Sequence, residues 1–219
     1  MGVLKTVLSV FVRPATVIET ELPKCKVPKK ALGLVGTVAV ILAAMMTLTQ
    51  VIRRVIIYSC ARQEPCTVGL DFGRIFTGWD YFGSSLVNIL VNVVVLPLGV
   101  AGLVFLATRL FKVKKMGFWE ILSLTFLAML PLVAGCCLNA ILGVSYMSGL
   151  LALAGAFALV LGLMYALMFA YEGLVAETDI TGNRRFSFVM FTMIITMAFV
   201  LIFAMEMSKE FLMVPKVLF

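Results

Sequence analysis

Residues 148–171 read SGLLALAGAFALVLGLMYALMFAY, an apolar stretch without a charged side chain. An α-helix rises 1.5 Å per residue, so about 20 apolar residues cross a hydrocarbon core that is about 30 Å thick. Inside lipid, each backbone N–H and C=O group must be bonded within its own segment. The stretch therefore predicts a membrane-spanning α-helix.

Four more stretches of this kind lie on either side of it. They carry no charge near their middles and cover about residues 31–52, 84–110, 119–143 and 186–207. Together the five stretches predict an all-α membrane protein, a five-transmembrane-helix bundle over residues 31–207. Residues 1–30 then form a cytoplasmic amino-terminal segment, residues 53–83 an external loop, and residues 208–219 a short external carboxyl-terminal tail.

The composition of the whole chain agrees with lipid as its solvent. Of the 219 residues, 63% are hydrophobic and 13% are charged, and the mean hydropathy is +1.13. Soluble domains are about half apolar and about a quarter charged. The net charge is +7, but the basic residues stand in short groups between apolar runs rather than along one polar face. The predicted partner is thus a lipid bilayer and not nucleic acid.

The distribution of Lys and Arg predicts the orientation of the chain. Of the 18 basic residues, twelve lie before the first stretch, between the second and third, or between the fourth and fifth: Lys5, Arg13, Lys24, Lys26, Lys29, Lys30, Arg109, Lys112, Lys114, Lys115, Arg184 and Arg185. The other six are Arg53, Arg54, Arg62, Arg74, Lys209 and Lys216. Cytoplasmic loops carry the excess of basic residues, so we expect a cytoplasmic amino terminus and an external carboxyl terminus.

The amino-terminal segment contains a short amphipathic pattern. Apolar residues recur at helical spacing at Val3, Leu4, Val7, Leu8 and Phe11. We expect a helix that ends at Pro14 and lies on the cytoplasmic face of the membrane. Thr16 and Glu19 have the spacing of a capping box for a second short helix. The lysines that follow are interpreted as topogenic charge in preference to a site for anionic lipid headgroups.

The five cysteines do not have the spacing of a zinc site. Cys60 and Cys66 both fall in the predicted external loop, where a disulfide between them would persist, although two free thiols are the alternative. Cys136 and Cys137 lie within the third stretch and are interpreted as small apolar residues.

Small residues repeat every four positions in the fourth stretch, at Ala158, Gly162, Ala166 and Ala170. Such repeats let helix backbones approach closely, and close packing drives the association of helices within lipid. We expect this helix to lie at the centre of the bundle or at a contact between chains.

One face of the second stretch carries Ser85, Asn88, Asn92, Gly99 and Gly102. We interpret Asn88 and Asn92 as partners in interhelical hydrogen bonds, in preference to the lining of a solute path, because no charged residue joins them at membrane depth. Pro97 and Pro131 lie inside the second and third stretches, where each removes a backbone donor, and both helices are predicted to kink.

Groups that carry common catalytic chemistry are missing from the sequence. Histidine is absent, which removes the commonest metal ligand and general base. There is no glycine-rich phosphate loop after a strand and no Gly-x-Ser-x-Gly motif. The sequence therefore predicts a protein with no catalytic residues, no metal site and no cofactor.

Several short motifs resemble those of the Yip-domain family, which is named for interaction with Ypt/Rab GTPases. They are Arg13-Pro14-Ala15-Thr16-Val17-Ile18, Gly117-Phe118-Trp119-Glu120, Leu130-Pro131 and Tyr171-Glu172-Gly173-Leu174. The resemblance implies five membrane helices and a cytoplasmic amino terminus, in a prokaryotic plasma-membrane member of the family. The long cytosolic region and the Tyr-Gly-Leu-Pro signature of eukaryotic members are not found, so GTPase binding is not carried over.

Two functions follow as expectations. The resemblance implies a noncatalytic scaffold, adaptor or accessory subunit that binds other membrane proteins or a second copy of itself. The alternative is a component of a small-solute or ion transporter, with a polar path along the second stretch.

Overall fold

The computed structural model describes residues 3–61, 89–113, 116–142 and 149–212. Within these ranges the regular structure is entirely helical, and it comprises seven α-helices, one 3₁₀ helix and one π-helical turn. The α-helices are α1 Val3–Val12, α2 Pro14–Thr20, α3 Pro28–Ala61, α4 Leu96–Leu110, α5 Phe118–Leu142, α6 Gly149–Glu177 and α7 Gly182–Leu212. The 3₁₀ helix Leu22–Lys26 precedes α3, and the π-helical turn Val91–Val95 runs into α4.

Four of the described helices are long and apolar enough to cross a membrane. They cover Pro28–Ile52, Val91–Leu110, Phe118–Leu142 and Leu150–Glu177. The described ranges thus confirm the coarser prediction of an all-helical protein with helices apolar enough to span a membrane. The fifth predicted stretch, residues 186–207, lies within α7. A fifth crossing stays a prediction.

The first long helix extends further than its apolar stretch. We expected a loop from Arg53, but α3 continues through Arg53 and Arg54 to Ala61. A helix does not have to end where it leaves the hydrocarbon, because water can hydrate charged side chains on a helix as well as on a loop. The predicted Cys60–Cys66 disulfide, the side chain of Asn88 and most of the predicted loop lie outside the described residues.

The centre of the bundle is α5, the third apolar stretch. It packs against α3, α4 and α6 and also contacts α1 and the 3₁₀ helix. Of the residues in its apolar stretch, 61% are buried, against 11% in α6. The centre of the bundle, one of the two positions expected for the fourth stretch, is therefore taken by α5, and a contact between chains stays a prediction for α6. α6 packs one side on α5 and leaves the large side chains of its other side exposed, among them Leu153, Phe157 and Leu161.

The amino-terminal segment packs on the bundle. α1 contacts α3 and α5, and it buries Val7 and Val10 while Leu8 and Phe11 stay exposed. α2 packs on α6. The predicted capping box is not formed, since Arg13 is the N-cap residue and makes no side-chain capping bond. Pro14 is instead the first helical residue, a position where its missing N–H costs nothing.

The backbone before Pro97 is irregular in the way proline chemistry requires. Proline has no N–H, and its ring clashes with the carbonyl four residues earlier, here that of Val93. The turn Val91–Val95 is π-helical, and such a turn widens the helix at this carbonyl. Helix α5 continues through Pro131. The angle of each kink stays a prediction.

Candidate functional site: buried carboxylates at the α5–α6 junction

Helices α5 and α6 pack antiparallel, and their backbones approach each other closely. A Cβ placed on Gly162 would lie 2.5 Å from the carbonyl oxygen of Pro131 and 3.0 Å from the Cα of Gly135. One placed on Gly155 would lie 3.2 Å from the Cα of Asn139. The neighbouring backbone therefore leaves no room for a side chain at Gly162, whereas Gly155 is packed tightly against α5.

The same register continues to one end of the pair. Gly173 of α6 lies against the side chain of Leu124 of α5. One turn further along each helix come Glu177 and Glu120, and the two carboxylates interact electrostatically. Two acidic side chains from separate helices are thus brought to one buried location.

Glu120 is the third residue of α5, and two partners hold its side chain. The backbone N–H of Gly117 donates to Glu120 Oε2 over 2.9 Å, so the side chain caps the helix from its third position. The Nζ atom of Lys26 lies 3.6 Å from Glu120 Oε1. The side chain of Glu120 is only 1% exposed, whereas that of Lys26 is 51% exposed. Lys26 thus covers the buried carboxylate and ties the 3₁₀ helix to the bundle.

Glu177 is buried without equivalent support. It is 5% exposed, and its Oε2 atom makes no hydrogen bond to any part of the chain that the structure describes. A buried carboxylate oxygen without a donor is unfavourable, because burial removes the hydrogen bonds that water made. Glu120 Oε1 likewise accepts no hydrogen bond, so each acid at the α5–α6 junction has one buried oxygen without a donor.

A buried thiol lies close to this carboxylate pair. Cys25 of the 3₁₀ helix is 3% exposed and faces Ser123 and Glu120 of α5. Removal from water raises the pKa of the Cys25 thiol above its ordinary value, and the negative charges of Glu21 and Glu120 add to this effect. Because the thiolate is the reactive form, this environment disfavours reaction of the Cys25 thiol.

A cavity of about 90 Å³ lies between α4, α5, α6 and α7, and its lining on α6 ends at Leu174, one helical turn before Glu177. Its walls are apolar side chains and three threonines: Val100, Val104, Ile121, Leu124, Thr125, Ala128, Met129, Leu132, Leu163, Ala166, Leu167, Ala170, Leu174, Thr192, Met193, Thr196, Met197 and Val200. Thr125 and Thr192 donate to carbonyls of their own helices, those of Ile121 and Phe188. Thr196 Oγ1 is buried and has no partner among the described residues.

The small residues of the predicted α6 series lie on the inner side of the helix. Gly162 contacts α5, and the carbonyl oxygen of Ala158 lies 2.7 Å from a Cβ placed on Gly135. Ala166 and Ala170 line the cavity. The small residues of this series thus pack against other parts of the same chain.

The polar face predicted along the second stretch is divided between different environments. Asn92 lies half-buried in the π-helical turn. Gly99 faces the ring of Phe199 from α7, and a Cβ at Gly99 would lie 2.7 Å from its Cζ atom. Gly102 faces open space. The described residues of this face therefore do not line one continuous path.

Glu120, Glu177 and Lys26 were not identified as a site from the sequence. A signal for Glu120 exists, since it follows Gly117 at the spacing with which an acidic side chain caps a helix. Glu177 had no comparable signal, because the fourth stretch was expected to end at Tyr171. The helix continues to Glu177, and only the packing of α6 on α5 buries this residue.

Tyr165 joins the amino-terminal segment to α6. Its hydroxyl donates to the carbonyl of Val10 over 2.7 Å and lies 3.2 Å from that of Phe11. These carbonyls belong to the last turn of α1, where backbone acceptors lack helical partners. Tyr165 therefore satisfies the end of α1 and fixes its position on the bundle.

Replacing Tyr165 by phenylalanine removes this hydrogen bond and should weaken docking of α1 by about 1 kcal/mol. We expect faster proteolysis within residues 1–27 for Tyr165→Phe in detergent, with little change in the melting temperature of the bundle. Tyr171→Phe is the matched control, because Tyr171 is 45% exposed on the same helix. Equal proteolysis of the two variants would show that the hydroxyl does not hold α1.

Within the described ranges, His, Cys, Asp and Glu side chains do not gather in a group of three that could hold a metal ion. The comparisons with known proteins add no relative, since no family model matches the chain and no curated protein or solved structure shows significant similarity to it.

Proposed function

We propose that the chain is a five-span membrane protein of the Yip-domain type that acts without catalysis, as a scaffold or accessory subunit for other membrane proteins. The observation that carries this proposal is the exposed first half of α6. It exposes the small residues Ala152 and Ala156 one turn apart, between the large apolar side chains of Leu153 and Phe157. In lipid, exposed small residues allow a second helix to approach closely.

The proposed orientation has the amino terminus in the cytoplasm and the carboxyl terminus outside. It is supported by the way the helices bring their basic ends together. Lys26 lies at the start of α5, and Arg184 at the start of α7 donates to the carbonyl of Phe111 at the end of α4 over 2.7 Å. Basic residues concentrated at one end of a bundle favour the cytoplasmic side. The proposed location is a prokaryotic plasma membrane.

The test is purification from native membranes in a mild detergent. The molecular mass of the purified particle is then measured, and any bound subunit is identified. We expect a complex or a homo-oligomer from the unaltered protein. The variant Ala152→Leu/Ala156→Leu should release it, whereas Leu153→Ala should not. A monomer in native extracts, with no bound subunit before or after crosslinking, would contradict the proposal.

The alternative is a transporter component with Asn88 and Asn92 in its path. No described contact favours it, because Gly99 is packed against Phe199 and the nearby cavity is apolar. Liposomes containing the protein should show no solute flux above that of empty liposomes. Flux that falls in Asn88→Leu/Asn92→Leu would favour this alternative.

A further inference from the structure

We propose that the pocket between α2 and α6 binds an amphiphilic organic cation, whose ammonium group lies at Glu19 and Glu172 and whose apolar body lies against Met168 and Phe169. This ligand site goes beyond the proposed scaffold function. It rests on the volume of the pocket, on the chemistry of its walls and on the order of polar and apolar residues along α6.

The pocket is an open crevice of about 410 Å³, formed where the amino-terminal segment packs on the bundle. Pockets that hold small molecules have volumes of about 300–1,000 Å³. One wall comes from α2 and the other from α6: Pro14, Ala15, Ile18 and Glu19, and Tyr165, Met168, Phe169, Glu172 and Ala176. A molecule that fills the pocket therefore contacts both helices.

The side chains of the pocket offer acceptors but no free donor. Glu19 and Glu172 stand on opposite walls, both residues are exposed, and among the described residues neither forms an ion pair. The hydroxyl of Tyr165 already donates to the carbonyl of Val10. The other lining side chains are apolar and carry no N–H or O–H group. The walls thus favour a cation that donates hydrogen bonds, and they disfavour an anion.

The order of residues on α6 matches an amphiphile. The lining positions recur at helical spacing, and Tyr165, Met168 and Phe169 precede Glu172 in the chain. Glu172 is also nearer to Glu177, where the apolar helix ends. The apolar part of this wall therefore lies deeper in the proposed membrane than the carboxylate. An amphiphile at a membrane surface is arranged in the same way, with its charged group toward water and its apolar body toward the hydrocarbon.

Binding in this pocket should strengthen the docking of the amino-terminal segment. A molecule that contacts α2 and α6 together binds only the state in which the two helices are packed, and it stabilises that state by mass action. The hydrogen bond from Tyr165 to Val10 holds the end of α1 on the same helix. The ligand and Tyr165 would thus hold the same segment.

The test compares three aryl-diazirine probes that differ in one group: a benzylamine, a benzyl alcohol and a benzoic acid. The full chain is reconstituted in nanodiscs and photolabelled, and labelled peptides are quantified by mass spectrometry. Labelling of the pocket is divided by labelling of the exposed residues Leu153 and Phe157, which corrects for the partition of each probe into lipid. We expect this ratio to be about threefold or more higher for the amine, since two exposed ion pairs contribute modestly. The excess should shrink at high salt.

Variants separate the charge of the pocket from its space. Glu19→Gln/Glu172→Gln should lower labelling by the amine to the level of the alcohol. Asp179→Asn is the matched control, because it changes an exposed acid outside the pocket. Ala15→Phe should fill the pocket from α2 and reduce labelling by all three probes. Met164→Phe should not, because Met164 is exposed on α6 and does not line the pocket.

A second measurement follows docking without photolabelling. The amine probe at saturation should slow proteolysis within residues 1–27, whereas the alcohol should not. Glu19→Gln/Glu172→Gln should lose this protection. Amine labelling of the pocket without protection of the segment would overturn the claim that the ligand contacts both helices.

Equal normalised labelling by the three probes in the unaltered protein would overturn the assignment of a cation, and this comparison needs no variant to fold. Amine labelling that is unchanged in both the double glutamine variant and Ala15→Phe would overturn the pocket as the site. Neither result depends on whether a protein partner is found, so failure of this site is distinguishable from failure of the scaffold proposal.

Discussion

The variant Gly162→Ala should melt several degrees below the unaltered protein, although it adds only one methyl group. The added Cβ would lie 2.5 Å from the Pro131 carbonyl oxygen and 3.0 Å from the Gly135 Cα. Both are backbone atoms, so neither can move away by changing a rotamer, and the helices must separate. Overpacking of this kind costs about 1–3 kcal/mol. Thermal unfolding in detergent, followed by loss of the monodisperse species on size exclusion, measures the effect.

Alanine variants of two other glycines should have smaller effects than Gly162→Ala. Gly36→Ala adds a methyl group where nothing lies within 4 Å, so it should be neutral or stabilise α3 by up to about 1 kcal/mol. Gly173→Ala would meet the flexible side chain of Leu124, and its cost should fall between the other two. Equal melting temperatures for Gly162→Ala and Gly36→Ala would contradict the close backbone contact between α5 and α6.

The second large effect is expected when Lys26, which covers the buried Glu120, is replaced. Lys26→Ala should destabilise the protein by about 1–3 kcal/mol, because it removes the ammonium group 3.6 Å from Glu120 Oε1, a buried oxygen that accepts no hydrogen bond in compensation. Detachment of the 3₁₀ helix should accompany this loss and can be followed by the rate at which the Cys25 thiol reacts with a maleimide. In the unaltered protein this thiol is buried and its raised pKa keeps it protonated, so labelling should be slow.

Lys24→Ala provides the matched control from the same short segment. Lys24 pairs with Glu21 at 2.8 Å across one turn, and its side chain is 48% exposed. Such a pair contributes about 0–0.5 kcal/mol, because water and salt screen it. Lys26→Ala combined with Glu120→Gln should recover part of the stability, since the stranded charge is removed. Equal effects of the two lysine variants would mean that Lys26 does not cover Glu120.

The limits of sequence reasoning are visible in α6. Its apolar residues predicted a helix within lipid, and the small residues at Ala158, Gly162, Ala166 and Ala170 predicted a close contact. They did not identify the partner helix, because apolar residues that face lipid and those that face protein have the same hydrophobicity. The packing places Gly162 against α5 and leaves the opposite side of α6 exposed, so the helix is peripheral.

The candidate site shows the same limit more sharply. Glu177 follows the predicted end of the fourth stretch and has no motif around it, whereas Glu120 follows Gly117 at capping distance. Their proximity depends on the register of α5 and α6, which backbone contacts between glycines set. Register is a property of two helices at once, and no local pattern in either helix contains it.

Composition and hydropathy alone predicted long helices apolar enough for lipid, because an uninterrupted apolar run of about 20 residues meets its backbone hydrogen bonds within itself as a helix. The spacing of Lys and Arg alone carries the predicted orientation. Packing determined that α5 is central, that α1 is held by Tyr165, and that one acid from α5 and one from α6 are buried close to each other. The reason is physical. Transfer into lipid acts on each helix separately, whereas close contact acts only between helices that have already met.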